Sequence, residues 1–146
     1  MICAACGVGE VTPKAGRGRH LPYRTLPAVE LPESLKLPTC QHCGELWLDA
    51  RSTQALEGAL QARYSQELAT RAARAVEQLS EKVPAREIEA LLGLAPGYLA
   101  KVRRGKARPS PALVMMLMLL SSRPKLLPTV RALWAQDLLR KGRRRS

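Results

Sequence analysis

The chain of 146 residues has only two histidines, His20 and His42, and only four cysteines. It has no glycine-rich phosphate-binding loop, and its serines have no histidine partner in a recognisable motif. These absences remove the usual constellations for nucleophilic, acid–base and phosphoryl-transfer chemistry, so the sequence predicts no catalytic residues and no enzyme. The longest apolar run, Ala112 to Leu120, is nine residues, against the roughly twenty needed to cross a bilayer. The chain opens on Met-Ile-Cys without an apolar leader, and the expectation is a cytoplasmic, reducing setting with no membrane partner.

Acidic residues are scarce in one place above all. None occurs between Ala90 and Gln136, and residues 81–146 carry fifteen Lys/Arg against four Asp/Glu. Residues 1–80, with nine basic and eight acidic side chains, are nearly neutral, so almost all of the net charge of +12 lies in the second half. A basic half joined to a neutral one points to a polyanion, with nucleic acid as the default, because neutralised phosphates release counterions. A solvated basic surface, or attraction to anionic lipid, is the blander alternative.

What the chain does have is two Cys-x-x-Cys pairs, Cys3/Cys6 and Cys40/Cys43, each followed by glycine. Four thiolates in this pattern suit a structural zinc ion, one per chain, held by Cys3, Cys6, Cys40 and Cys43. A redox dithiol or a pair of disulfides is the competing reading, but no thioredoxin-like strand and helix context surrounds either pair. A catalytic zinc would need an open position and usually a histidine. His42 sits inside a pair whose cysteines already fill the corner, which predicts an exposed ring, and His20 reads as an ordinary strand residue. A module of about fifty residues has too small a core to stand alone and takes its folding energy from metal.

The fold class predicted is α+β: a small N-terminal zinc-ribbon-like β module, a linker helix, and a C-terminal all-α helix-turn-helix domain. The expected boundaries are 1–50, 51–65 and 66–140, with a basic tail over 141–146 that includes Lys141, Arg143, Arg144 and Arg145. Pro13, Gly16, Gly18, Pro22, Pro27, Pro32 and Pro38 punctuate Val8 to Pro38, giving short strands and turns. Asp49 or Ser52 then caps a long helix carrying Leu56, Leu60, Tyr64, Leu68, Ala72, Val76 and Leu79 at nearly four-residue spacing. Gly58 and Ser65 leave room for a kink. Pro84 opens a helix that stops at Gly93, and Pro96 opens a second that runs to Arg103 or Arg104 and ends at Gly105. An apolar helix over Ala112–Ser121, apolar all round and so expected to be buried with a dimer contact, and a final helix over Lys125–Leu139, interrupted or begun at Pro128, complete the pattern.

The two short helices around Gly93 have the spacing of a helix-turn-helix, locked by Ile88, Leu91, Leu94, Leu99 and Val102. The second would enter the major groove with Gly97, Tyr98 and Lys101 facing base edges, while Arg103, Arg104, Lys106 and Arg108 meet phosphates. For Tyr98, packing against the first helix competes with contact to DNA.

With both halves read, the chain resembles the MqsA-type antitoxins of bacterial toxin–antitoxin pairs, which join a YgiT-type zinc finger to an Xre-class helix-turn-helix. The matching residues are Cys3, Cys6 and Gly7, then Cys40, Cys43, Gly44 and Glu45, the apolar helix-turn-helix positions, and Gly105 with Pro109. By this resemblance the cysteines are zinc ligands, the N-terminal module neutralises a protein toxin, and the C-terminal domain forms a homodimer that represses its operon on double-stranded DNA. Arg17, Arg19, Tyr23, Arg24 and Leu26 are candidates for the toxin-facing surface. Gly97 stands where that family uses an asparagine, Lys101 where it uses an arginine, and Arg103 where many Xre proteins carry glutamate. A glycine cannot make the bidentate contact to adenine that asparagine makes. The alternative is a zinc-ribbon/helix-turn-helix transcription regulator with no toxin partner.

Overall fold

The computed structural model describes the backbone of residues 1–144 and the side chains of residues 1–136. The expected basic tail, 141–146, lies outside the described side chains. The chain divides into two compact units, Met1–Gln66 and the remainder from Glu67 onward. The architecture is α+β, with a small four-cysteine β module followed by helices.

Unit one carries two antiparallel two-stranded sheets, of which only β2–β3 is a hairpin. Strand β1 (Val11–Lys14) pairs with β4 (Leu37–Cys40) in the register Val11↔Cys40 to Lys14↔Leu37. Strand β2 (His20–Tyr23) pairs with β3 (Leu26–Glu30), with an irregularity between Leu21 and Tyr23. Each strand contains one proline (Pro13, Pro22, Pro27 and Pro38), which keeps the strands short and the sheets two-stranded. Leu26, Val29, Leu31 and Leu37 are buried.

Helix α1 (Ala50–Ser80) follows, uninterrupted through Gly58 and Ser65. Asp49 caps it reciprocally with Ser52: the Ser52 N–H donates to Asp49 Oδ1 at 2.7 Å, and the Asp49 N–H donates to Ser52 Oγ at 3.1 Å. All seven residues of the four-residue apolar series, Leu56 to Leu79, are buried. In its first half Tyr64 exchanges a hydroxyl hydrogen bond with Thr25 at 2.7 Å and meets the Tyr23 ring edge-on, centroids 5.5 Å apart.

Unit two adds α2 (Ala85–Leu92), α3 (Tyr98–Arg103), α4 (Pro111–Ser122), a 3-10 turn (Pro124–Leu126) and α5 (Leu127–Arg144). Its core is Ala72, Val76 and Leu79 of α1 with Ile88, Leu91, Leu99, Val102, Val114, Leu117, Leu120 and Leu127. Three expectations need correction. Helix α3 begins at Tyr98 rather than Pro96, because Gly97 takes a left-handed φ of 83° and turns the chain just before the helix. Leu94 is only half-buried, whereas the other four locking residues are buried. Helix α4, expected to be buried all round, buries one face (Val114, Leu117, Leu120) and leaves Met115, Met116 and Leu119 exposed. The last two helices start one or two residues from where the prolines suggested: Ser110 caps α4 by accepting the Leu113 N–H at 3.2 Å, and Pro128 falls in the first turn of α5.

Candidate metal centre and nucleic-acid interface

The cysteine pairs, one just before β1 and one at the end of β4, converge because β1 and β4 pair directly, placing Val11 opposite Cys40. Each pair is wound into a tight turn: the Gly7 N–H donates to Cys3 O at 2.8 Å and the Gly44 N–H to Cys40 O at 3.1 Å. The four Sγ atoms lie within 4.8 Å of one another. Cys3 and Cys43 sulfurs are 3.7 Å apart, as are those of Cys6 and Cys40. A tetrahedral ion with metal–sulfur bonds of about 2.3 Å sets its sulfurs about 3.8 Å apart. A disulfide needs about 2.05 Å, and all four cysteines are free. The four cysteines are therefore placed to hold a metal ion.

The surroundings fit the same conclusion. Amide and indole N–H groups point at the sulfurs: Gly9 to Cys6 at 3.4 Å, His42 and Cys43 to Cys40 at 3.4 and 3.5 Å, and Trp47 Nε1 to Cys3 at 3.3 Å. Burial pushes the Cys3 thiol up, but the amides of Cys6 and Ala5 and the Trp47 indole outweigh it and bring it down to about 6. The Gly9 amide, with that of Val8, lowers Cys6. For Cys43 the Glu45 amide pulls down, yet burial and the three neighbouring sulfurs win and push it up to about 12. One thiolate forms readily and the last resists, as four converging negative charges must unless a cation joins them. Gly9 is buried against this cluster: a Cβ there would collide with Cys40 Sγ and lie 2.6 Å from His42 Cβ. The His42 ring is exposed, as expected, and only its backbone amide serves the cluster. His20 is an exposed strand residue bonded to Gly18 O at 3.0 Å. Sequence reasoning missed the roles of Trp47 and Gly9, which depend on contacts across more than thirty residues.

In unit two, α2 and α3 are joined by a polar bond between apolar faces. The Glu89 carboxylate, 4 % exposed, accepts the Leu99 N–H at 3.1 Å and so caps α3 from a different helix. This too was missed, since the periodicity of α2 shows only its apolar stripe. The bond fixes α3 with Leu99 and Val102 inward. Lys101, Arg103, Arg104, Lys106, Arg108 and Gly97 are exposed, and Tyr98 is half-buried. Among the described residues none of the five cations forms an ion pair. Helix α5 is pinned to α2 by Trp134 Nε1 donating to Leu91 O at 2.8 Å and by Arg131 with Glu87 at 3.2 Å.

The candidates for a partner-facing surface on the strands are mostly committed internally. Leu26 is buried, the Tyr23 hydroxyl donates to Gln61 at 2.8 Å, Arg24 lies over the Tyr23 ring at 5.4 Å, and Arg17 pairs with Glu33 at 2.8 Å.

Residues 1–131 match the family described as the antitoxin component of a bacterial toxin–antitoxin system, MqsA. The chain belongs to the MqsA antitoxin family. The match spans both units, so the cysteine cluster and the α2–α3 pair both lie inside the MqsA region. No curated protein matches the chain. Among the described residues no single helix is long and apolar enough to cross a membrane.

Proposed function

We propose that this MqsA-family protein is a zinc-containing antitoxin that neutralises a protein toxin and represses its own operon. Zinc is the ion best suited to four thiolates with sulfurs about 3.8 Å apart, and one per chain would brace the ends of β1 and β4. The repressor role rests on one observation above all: α3 buries Leu99 and Val102 while Lys101, Arg103, Arg104, Lys106 and Arg108 stay exposed and free of carboxylates among the described residues. In a helix-turn-helix, α3 enters the major groove. Lys101 and Tyr98 then face base edges, the arginines and the loop cations after Gly105 meet phosphates, and the left-handed Gly97 lets the backbone approach closely.

The second unit, over about 66–140, acts as a homodimer in this reading. Support comes from the large apolar side chains left exposed on α4 and α5: Met115, Met116, Leu119, Leu133 and Trp134. A two-fold repressor reads a palindrome with half-sites about one helical turn apart. Unit one then serves the toxin, in the cytoplasm, with no catalytic step.

Co-expression tests the antitoxin reading. The reading frame beside this gene, induced alone, should arrest growth, and induction of both should restore it. Growth unaffected by the neighbour, or arrest that this protein does not relieve, contradicts the proposal.

A further inference from the structure

Between the two small sheets of unit one lies a groove of about 380 Å³. Leu21, Leu31 and Leu46 line it, with Leu31 buried and the other two half-exposed. Lys14, Arg17 and Arg19 line it as well. The wall is preformed: the Arg19 guanidinium donates to the carbonyls of Gly16, Lys14, Pro32 and Leu35 at 3.1, 3.3, 3.0 and 2.6 Å, stapling the loop after β1 to the loop after β3. Carbonyls do not neutralise a guanidinium, so its charge remains. Among the described residues only Glu33 pairs with any of the three cations, through an ion pair with Arg17 whose side chains are 84 % and 62 % exposed, which solvent weakens.

The neighbouring β1–β4 sheet offers a partner strand no free outward N–H. The outward N–H of Val11 is taken by Met1 O at 2.9 Å, and Pro13 has none. On the other side the Cys40 N–H is taken by Glu45 O at 2.9 Å, Pro38 has none, and its carbonyl accepts from Trp47 at 3.0 Å. A partner at this sheet finds no backbone donors, so side chains carry its recognition.

We propose that the groove receives an acidic segment of a protein partner, an apolar side chain resting on Leu21, Leu31 and Leu46 and flanking carboxylates meeting Lys14 and Arg17. The proposal deepens the antitoxin reading and rests on it for the identity of that protein as the toxin. Nucleic acid fits less well: no Phe, Tyr or Trp lines the groove for base stacking, and leucines give a phosphodiester nothing.

The test uses the full-length zinc-loaded protein and short fluorescein-labelled peptides centred on Asp-Leu-Glu, Asp-Ser-Glu or Lys-Leu-Lys, with a single-stranded oligothymidylate as the nucleic-acid probe. Fluorescence anisotropy should show binding to Asp-Leu-Glu alone, weakened about tenfold or more by Lys14→Glu or by Leu21→Thr. Lys14→Glu should shift preference toward Lys-Leu-Lys. Equal binding of all peptides, no effect of either substitution, or tighter Lys14-dependent binding of the oligothymidylate overturns the proposal. The purified neighbouring-frame product separates the two readings. If it binds the wild-type chain and the Lys14→Glu chain equally, the groove proposal fails while the antitoxin reading stands. If it binds neither, while Asp-Leu-Glu binding still depends on Lys14 and Leu21, the antitoxin reading fails and the groove stands.

Discussion

The Glu89 carboxylate accepts the backbone N–H of Leu99 at 3.1 Å across ten residues of sequence, with Glu89 only 4 % exposed. A single oxygen thereby ties together the two helices of the proposed DNA-reading pair. Replacing it leaves a buried donor unpaired, so Glu89→Ala should destabilise unit two by about 1–3 kcal/mol. Glu89→Gln, which retains an acceptor, should cost less. Urea denaturation followed by circular dichroism measures both, and equal midpoints for Ala and wild type would contradict the assignment.

The metal centre should be sensitive to residues that are not ligands. Trp47→Phe removes the indole N–H from Cys3 Sγ and should weaken zinc about 10- to 100-fold. Gly9→Ala drives a methyl into Cys40 Sγ and should prevent stoichiometric loading. His42→Ala, with its exposed ring, should change neither. Competition with a chromophoric chelator ranks the three, and a loss at His42 as large as at Trp47 would refute the proposed ligand set.

Removal of the ion should unfold the first unit and spare the second, because the fold of unit one depends on joining Cys3 and Cys6 to Cys40 and Cys43. Chelator should lower the β signal and release four titratable thiols while helical ellipticity largely remains. Thiols that react fully before any chelator is added would rule out a bound ion.

Asp49 supplies the pH dependence. Hydrogen bonds from the Ser52 hydroxyl and then the Ser52 N–H hold its carboxyl below the ordinary value. Its folded-state pKa is therefore depressed relative to the unfolded value of about 3.9. The cap contributes fully above that unfolded value and is lost as pH falls through the lower folded one. Asp49→Ala should lower the urea midpoint at neutral pH, with the difference from wild type shrinking as the solution is acidified. A difference that stays constant into strong acid would count against the cap.

Lys101 and Arg104 should behave differently on DNA. Lys101→Ala should reduce discrimination between cognate and random duplexes by about 1–3 kcal/mol, whereas Arg104→Ala should weaken both alike. Parallel titrations on the two duplexes decide it, and equal loss on both for Lys101 would remove that residue from base reading.

What was legible in the chain was local. The cysteine spacing announced the metal cluster, and Leu56, Leu60, Tyr64, Leu68, Ala72, Val76 and Leu79 are all buried where a period near four placed them. The start of α3 was misread because Pro96 is a helix opener by type, while the left-handed Gly97 after it decides where the helix begins. The exposed half of α4 was illegible for a different reason: with no polar stripe among Leu113 to Leu120, nothing in the sequence tells which face meets the core. Trp47 beneath Cys3 and Glu89 beneath Leu99 are tertiary contacts, and neither residue type nor spacing announces them.

The salt dependence of binding to duplex DNA from upstream of the gene tests the repressor account most directly. With Arg103, Arg104, Lys106 and Arg108 free of carboxylates among the described residues and meeting phosphates, log K should fall linearly with log salt between about 50 and 200 mM, with a slope of about −3.6 per bound unit, and a scrambled duplex should bind more weakly throughout. A flat salt response, or equal affinity for the scrambled duplex, would contradict it.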